Sequence, residues 1–187
     1  ESRPALCAGF ARARLPSAAM SSPQPAARPR RSRRKLLLLA AGGLAALFVL
    51  IQVIPYGHDH ANPPVTKAAV FASPAVRQIV ADSCNDCHSN LTKWPWYTNV
   101  APASWLTVND VKEGRSRMNL SEWNKPQPEL NEIVDVIQSG EMPPLKYKVM
   151  PNHAKARLSD QQKQQLIAGF RQVYATQTPT IGEGGGG

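Results

Sequence analysis

From Leu36 to Ile54 the chain runs 19 residues without a charge. As a helix that stretch spans about 28 Å, close to the roughly 30 Å hydrocarbon core of a bilayer. It organises everything else, with an arm before it and the remaining sequence after it. Arg30-Arg31-Ser32-Arg33-Arg34-Lys35 stands directly in front, and a basic flank on that side predicts a cytoplasmic N-terminus and a translocated C-terminal part. A cleaved signal peptide is the competing reading. Such a peptide has an apolar core of roughly 7–15 residues and a small-x-small site after it. This run is longer, and no such site follows Ile54. A retained anchor over 36–54 is the expectation, and in either case the remainder is exported.

The formal charge of +9 invites a nucleic-acid reading, which its distribution argues against. Residues 1–35 hold nine of the 22 Lys and Arg but one of the 13 Asp and Glu, leaving 13 basic against 12 acidic residues beyond Lys35. The basicity belongs to the arm, so no nucleic-acid partner is expected. Rich in Arg, Pro, Ala and Ser, residues 1–35 read as a disordered cytoplasmic arm. The first methionine is Met20, and residues 1–19 read as translated upstream sequence.

After the anchor, residues 55–72 read as a stalk stiffened by Pro63-Pro64. Its His58-Asp59-His60 is a weak metal pattern that more often does nothing. Short helices follow over 73–176. Ser73-Pro74 is an N-cap with proline at the first helical position. Val76, Ile79, Val80 and Cys84 then recur at helical spacing. Pro102–Glu113 reads as a helix ending at Gly114, and Pro128–Ser139 as one ending at Gly140. Ser159 and Gln162 form a capping box before the last helix, which buries Leu166, Ile167, Phe170, Val173 and Tyr174. Residues 177–187 read as a flexible Gly-rich tail. No alternating β pattern appears, so the exported domain is expected to be all-α. With short helices and long loops it has little core and is helped by a large apolar ligand at its centre.

Of three cysteines, Cys7 lies alone in the arm and two fall in Cys84-Asn85-Asp86-Cys87-His88. C-x-x-C-H is the attachment pattern of c-type haem, with one thiol for each vinyl group and the histidine as proximal iron ligand. A dithiol redox motif expects a βαβ context, and a structural zinc site needs a second ligand pair. Neither is present in the sequence. For the sixth ligand the candidates are Met118, Met142, Met150 and His153. Met142 is favoured because Gly140-Glu141-Met142-Pro143-Pro144 holds it in a constrained loop, while a free methionine more often fills core gaps. Trp94, Trp96, Tyr97 and Trp105 are expected around the porphyrin, with Trp123 packing the small core and one indole or phenol as an alternative partner for a haem propionate. Lys93, Lys112, Arg115 and Arg117 are candidates for the propionates or for an acidic redox partner, against a default of solvated surface charge.

The stretch from Ser73 to Tyr174 resembles the haem-binding domain family, small bacterial single-haem proteins related to cytochrome c. Cys84-x-x-Cys87-His88-Ser89-Asn90, Thr92-Lys93-Trp94-Pro95-Trp96-Tyr97 and Ala101-Pro102-x-Ser104-Trp105 carry the resemblance. So do Asn119-Leu120-Ser121-x-Trp123, Gly140-Glu141-Met142-Pro143-Pro144, Tyr147, and His153 through Leu158-Ser159. It implies a cytochrome-c-like fold, one covalent haem on Cys84 and Cys87, His88 as proximal ligand and Met142 in the distal role. Ala154 departs from the pattern, which has proline after the histidine, and affects only the local turn.

The expected function is one-electron transfer at the outer face of a bacterial cytoplasmic membrane, with redox proteins or a larger membrane redox complex as partners. It is not expected to be an enzyme. A haem enzyme or gas sensor would need an open iron, and no distal acid/base pair is apparent in the sequence. An accessory subunit of a larger complex is the further alternative.

Overall fold

A computed structural model describes residues 30–182, with side chains from Ser32. The arm before Arg30, with Cys7, and the final residues 183–187 lie outside it. Among the described residues two compact units meet between Gly43 and Leu44. Every element among the described residues is helical, and two isolated bridges, Lys67 with Glu122 and Gln127 with Ile181, are the only sheet-like pairings.

Helix α1 (Arg30–Gln52) carries one apolar span long enough to cross a membrane, Ser32–Gln52. It starts inside the stretch expected to be disordered, because Arg and Lys are good helix formers and simply extend the apolar segment. None of that span is buried, and Leu36–Leu39 are largely exposed.

In the second unit follow α2 (Pro74–Ser83), α3 (Asn85–His88), a 3₁₀ turn (Trp96–Asn99), α4 (Ala103–Arg117), α5 (Leu130–Gln138), α6 (Leu145–Val149), a second 3₁₀ stretch (Pro151–Ala156) and α7 (Asp160–Thr176). The local signals place the starts well. Ser73 Oγ accepts from Val76 N, and Ser159 and Gln162 make the reciprocal capping box. Helix α7 packs on α2 and α5. Val76, Ile79 and Val80, Ile133, Val134 and Ile137, and Leu166, Ile167, Phe170 and Val173 form one core with Phe71, Leu120 and Trp123. Each such fully buried large side chain stabilises by about 1.5–3 kcal/mol relative to exposure.

Helix α4 passes the glycine expected to end it. A Cβ on Gly114 would lie 2.5 Å from the Cys87 carbonyl oxygen. The glycine is there so that α3 can lie against α4, and that packing outweighs its ~1 kcal/mol helix penalty.

The expected stalk is extended, but it lies along the domain instead of standing off it. Thr66 N and Lys67 N donate to Ser121 O, Ala69 N to Leu120 O, and Phe71 enters the core. Arg115 holds the earlier part, donating to Ala61 O and Asn62 Oδ1. The expected tail is likewise fixed over its described part, with Gln177 bonding both backbone groups of Val70 and Gln127 N donating to Thr180 O. In both segments polar side chains bond distant backbone, and no local periodicity announces such bonds.

Candidate functional site

Helix α2 delivers Cys84 at its end, and one turn, α3, carries Asn85 to His88. Cys84 accepts the backbone bond from His88 N at 2.9 Å. The His88 ring turns its Nδ1 to two carbonyls, Gly114 O at 2.9 Å and Met118 O at 3.2 Å. Nδ1 therefore carries the proton, and the Nε2 lone pair is left free for a metal. Burial lowers the pKa of His88, which favours the neutral ring, the form that ligates.

Cys84, Cys87 and His88 line one cavity of about 440 Å³, within the ~300–1,000 Å³ usual for cofactor sites. Apolar walls come from Val111, Met118, Ile133, Ile137, Leu158 and Phe170, and polar groups from Lys93, Trp94, Tyr97, Lys146 and His153. Both thiols are free, and burial pushes them up, Cys84 to about 11 and Cys87 to about 12. A dithiol oxidoreductase relies on a depressed thiol pKa, and burial shifts this pair in the opposite direction.

Met142 lines the same cavity from the turn after α5. That turn is tied in place: Met142 N donates to Val136 O at 3.0 Å, Glu141 N to Ser139 Oγ at 3.3 Å, and Lys148 Nζ to Gly140 O. Met118 also lines the cavity, while Met150 is absent from its walls. His153 lines it with its Nε2 held by the Tyr97 hydroxyl at 2.6 Å.

The aromatic expectations divide. Trp94 and Tyr97 line the cavity, whereas Trp96 and Trp105 do not. Trp96 is 78 % exposed, because the 3₁₀ turn points Thr98 inward and leaves its first residue outside. Trp105 sits on α4 against Gly57, and Trp123 is a core residue set edge-on to Tyr174. The charges divide as well. Arg115 is a brace, bonding Ser89 O, Ala61 O, Asn62 Oδ1 and Thr92 Oγ1. Lys112 lies over the Tyr56 ring, and only Lys93 and Arg117 of the four expected cations reach the cavity wall.

Two features of the wall escaped sequence reasoning. Asp110 on α4 receives Lys146 Nζ at 2.6 Å and the Tyr147 hydroxyl from α6, and Tyr97 and Tyr147 both set their rings edge-on to His153. Burial raises the pKa of Tyr147, so the phenol keeps its proton. A polar pair therefore exists where the sequence shows none, since its members lie far apart in the chain. Asn90, Asn119, Ser121 and Gln127 form a buried network, with Asn119 Nδ2 donating to Asn90 Oδ1 and Asn90 N to Ser121 Oγ. It fastens the segment after α4 beside His88, whose carbonyl accepts from Leu120 N.

The sequence pattern of a family described as the haem-binding domain matches residues 46–172, more than half of the chain. The chain belongs to the haem-binding domain family. Neither a curated protein nor a solved structure matches it.

The residues present fit the family's cofactor. A haem has a flat apolar body and a carboxylate edge, and this cavity has apolar walls with a few polar groups. Trp94 Nε1 is buried with no acceptor in the protein, an arrangement that costs ~1–3 kcal/mol unless a bound group accepts the bond. In this haem-binding domain His88 presents a free imidazole nitrogen, and Met142 offers a soft thioether.

Proposed function

We propose that this haem-binding domain protein is a membrane-anchored monohaem c-type cytochrome carrying single electrons outside the cytoplasm. The observation that carries the reading is the meeting of Cys84, Cys87, His88 and Met142 on the walls of one cavity. Cys84 and Cys87 would attach one haem through thioether bonds, and His88 and Met142 would ligate its iron. Bound there, the haem supplies one-electron chemistry at its iron. The chain's own part is to hold and shield it. Gly114 and Met118 orient His88, the bonds around Gly140 hold Met142, and Trp94 and Tyr97 cover the wall. Helix α1 is the anchor, with its basic N-terminal flank in the cytoplasm and the domain on the extracytoplasmic side, where redox proteins or a larger membrane redox complex exchange electrons with it.

Absorption spectra of the full chain, made in cells competent for c-type haem maturation and compared with Met142→Ala, test this. A low-spin c-type spectrum with a sulfur-to-iron charge-transfer band that Met142→Ala loses is the expected result. A high-spin parent spectrum unchanged by the substitution overturns Met142 as ligand. That result would turn the reading to an open-iron enzyme or sensor, which one observation favours: the Tyr97–His153 and Tyr147–Asp110 pairs on the cavity wall.

A further inference from the structure

The last turns of α1, Leu44–Gln52, belong to the same unit as the haem-binding domain. Gln52 is the final residue of that helix, and its side chain makes a reciprocal pair of bonds with Ala101. Nε2 donates to Ala101 O at 3.1 Å, and Ala101 N donates to Oε1 at 2.9 Å. The turn that follows is pressed on the start of α4. Gly57 has φ +87°, and a Cβ there would lie 2.8 Å from Ser104 C and from Trp105 Cδ1. Only glycine suits both that backbone and that approach. Lys112, further along α4, lies 5.7 Å above the ring of Tyr56. The helix end is thus fastened at three places along the 3₁₀–α4 corner, and it is not a free hinge.

That corner exposes large apolar side chains beside the polar Asn99 and Asn109. Trp96 opens the 3₁₀ turn that ends two residues before Ala101, and Leu106 lies one turn into α4; both are exposed, as are Val53, Ile54 and Tyr56 where the anchor ends. An exposed tryptophan five residues before Ala101, which bonds the end of α1, has the amphipathic character of residues that settle at the membrane–water interface. Lys112 is exposed at the same corner and suits anionic headgroups.

We propose that the 3₁₀–α4 corner, through Trp96 and Leu106, rests on the lipid interface around the anchor. The domain is then held against the membrane with a fixed face down, and Tyr97, the neighbour of Trp96, is carried on the cavity wall just above the headgroups. Partners that reach this face are membrane-embedded ones. The inference rests on the reading of α1 as a retained anchor.

Nitroxide labels test it on the full chain, with Cys7→Ser, in vesicles of phosphatidylcholine and phosphatidylglycerol. One label is placed at Trp96→Cys, a second at Leu106→Cys with Trp96 intact, and a control at Gln164→Cys on the exposed side of α7. Relaxation by lipid-soluble oxygen is compared with relaxation by an aqueous nickel chelate, each as a difference from the nitrogen-purged sample, so that a haem iron contributes equally to both. The expected logarithm of the oxygen-to-nickel ratio is positive at 96 and 106 and negative at 164. A negative value at 106 overturns the proposal and leaves Trp96 as a contact for a protein partner. Intact mass of the same samples separates the failures: loss of the residues through the anchor refutes retention, and label on Cys84 or Cys87 refutes covalent haem. Neither mass result would be mistaken for a domain that is anchored but lifted off the lipid.

Discussion

Where α2, α5 and α7 meet, side chains pack on one another, and Ile133, Ile137, Leu166 and Phe170 also form the apolar wall of the cavity. Phe71 stands edge-on to Phe170 at 5.3 Å, and Leu166, Ile167 and Val173 are almost wholly buried between them. Across the domain, the segments 92–99 and 140–158 are short turns whose inner side chains face the cavity. They are fastened by side chains reaching for backbone, such as Lys148 to Gly140 O and Arg157 to Lys148 O. Burial on the first side is non-directional and large, whereas each bond on the second is worth a net ~0.5–1.5 kcal/mol. One side therefore draws most of its stability from its own packing. The other is built around a ligand, and a bound haem adds its stabilisation there, since whatever binds only the folded state favours it.

Removing the attachment points should separate the two sides most. Cys84→Ala with Cys87→Ala is expected to abolish haem staining on a denaturing gel completely. Amide exchange should then rise across 92–99 and 140–158 while the centre of α7 stays protected. Equal loss of protection everywhere would mean that the two sides form one cooperative unit. Ile167→Ala probes the other direction. This side chain is buried but off the cavity wall, so denaturant unfolding should show a loss of about 2–5 kcal/mol with the haem spectrum unmoved.

Gly114→Ala strikes the seam between them. The added methyl would meet the Cys87 backbone, which has no rotamer to yield, and overpacking of this kind costs ~1–3 kcal/mol. Gly169→Ala would instead meet the Val76 Cγ1 and should cost less. Only the first should also reduce the yield of attached haem, measured as haem absorbance per chain.

Gly114 also marks where the sequence is legible and where it is not. Caps and periodicity are local, so Ser73, Ser159 and the apolar faces of α5 and α7 could be placed within a residue or two, and the haem expected from C-x-x-C-H agrees with the haem-binding family to which the chain belongs. A glycine after a helical stretch reads as a stop, yet here it records contact with Cys87, 27 residues earlier. Arg115 reads as a surface charge and proves to be the clamp on residues 61–62, because hydrogen bonds to distant carbonyls leave no pattern near the arginine. The Tyr97–His153 pair and the Asp110–Tyr147 bond join residues 56 and 37 positions apart, a closeness that only the folded chain creates. Trp96 and Trp105 failed as cavity residues for a related reason: aromatic composition reports that rings will pack, without saying on which side of a turn.

The smallest effect concerns a bond that crosses between the two sides. Asp82 on α2 accepts from Lys155 Nζ at 2.8 Å in the second 3₁₀ stretch. That bond, then one from Gln78, holds its carboxyl below the ordinary value against the opposing effect of burial. A depressed folded-state pKa means that the unfolded chain takes up the proton first as pH falls. The contribution is thus fully present above the unfolded value near pH 4 and is lost as pH drops through the folded one. Lys155 is 70 % exposed, so solvent screening limits the pair to about 0.2–1 kcal/mol. Asp82→Asn should therefore shrink the difference in unfolding free energy between pH 7 and pH 3 by that amount, with added salt erasing most of the gap between variant and parent. A gap that survives high salt would mean that Asp82 acts through its hydrogen bonds more than through its charge, and that the α2 side holds the cavity loops more firmly than a surface ion pair allows.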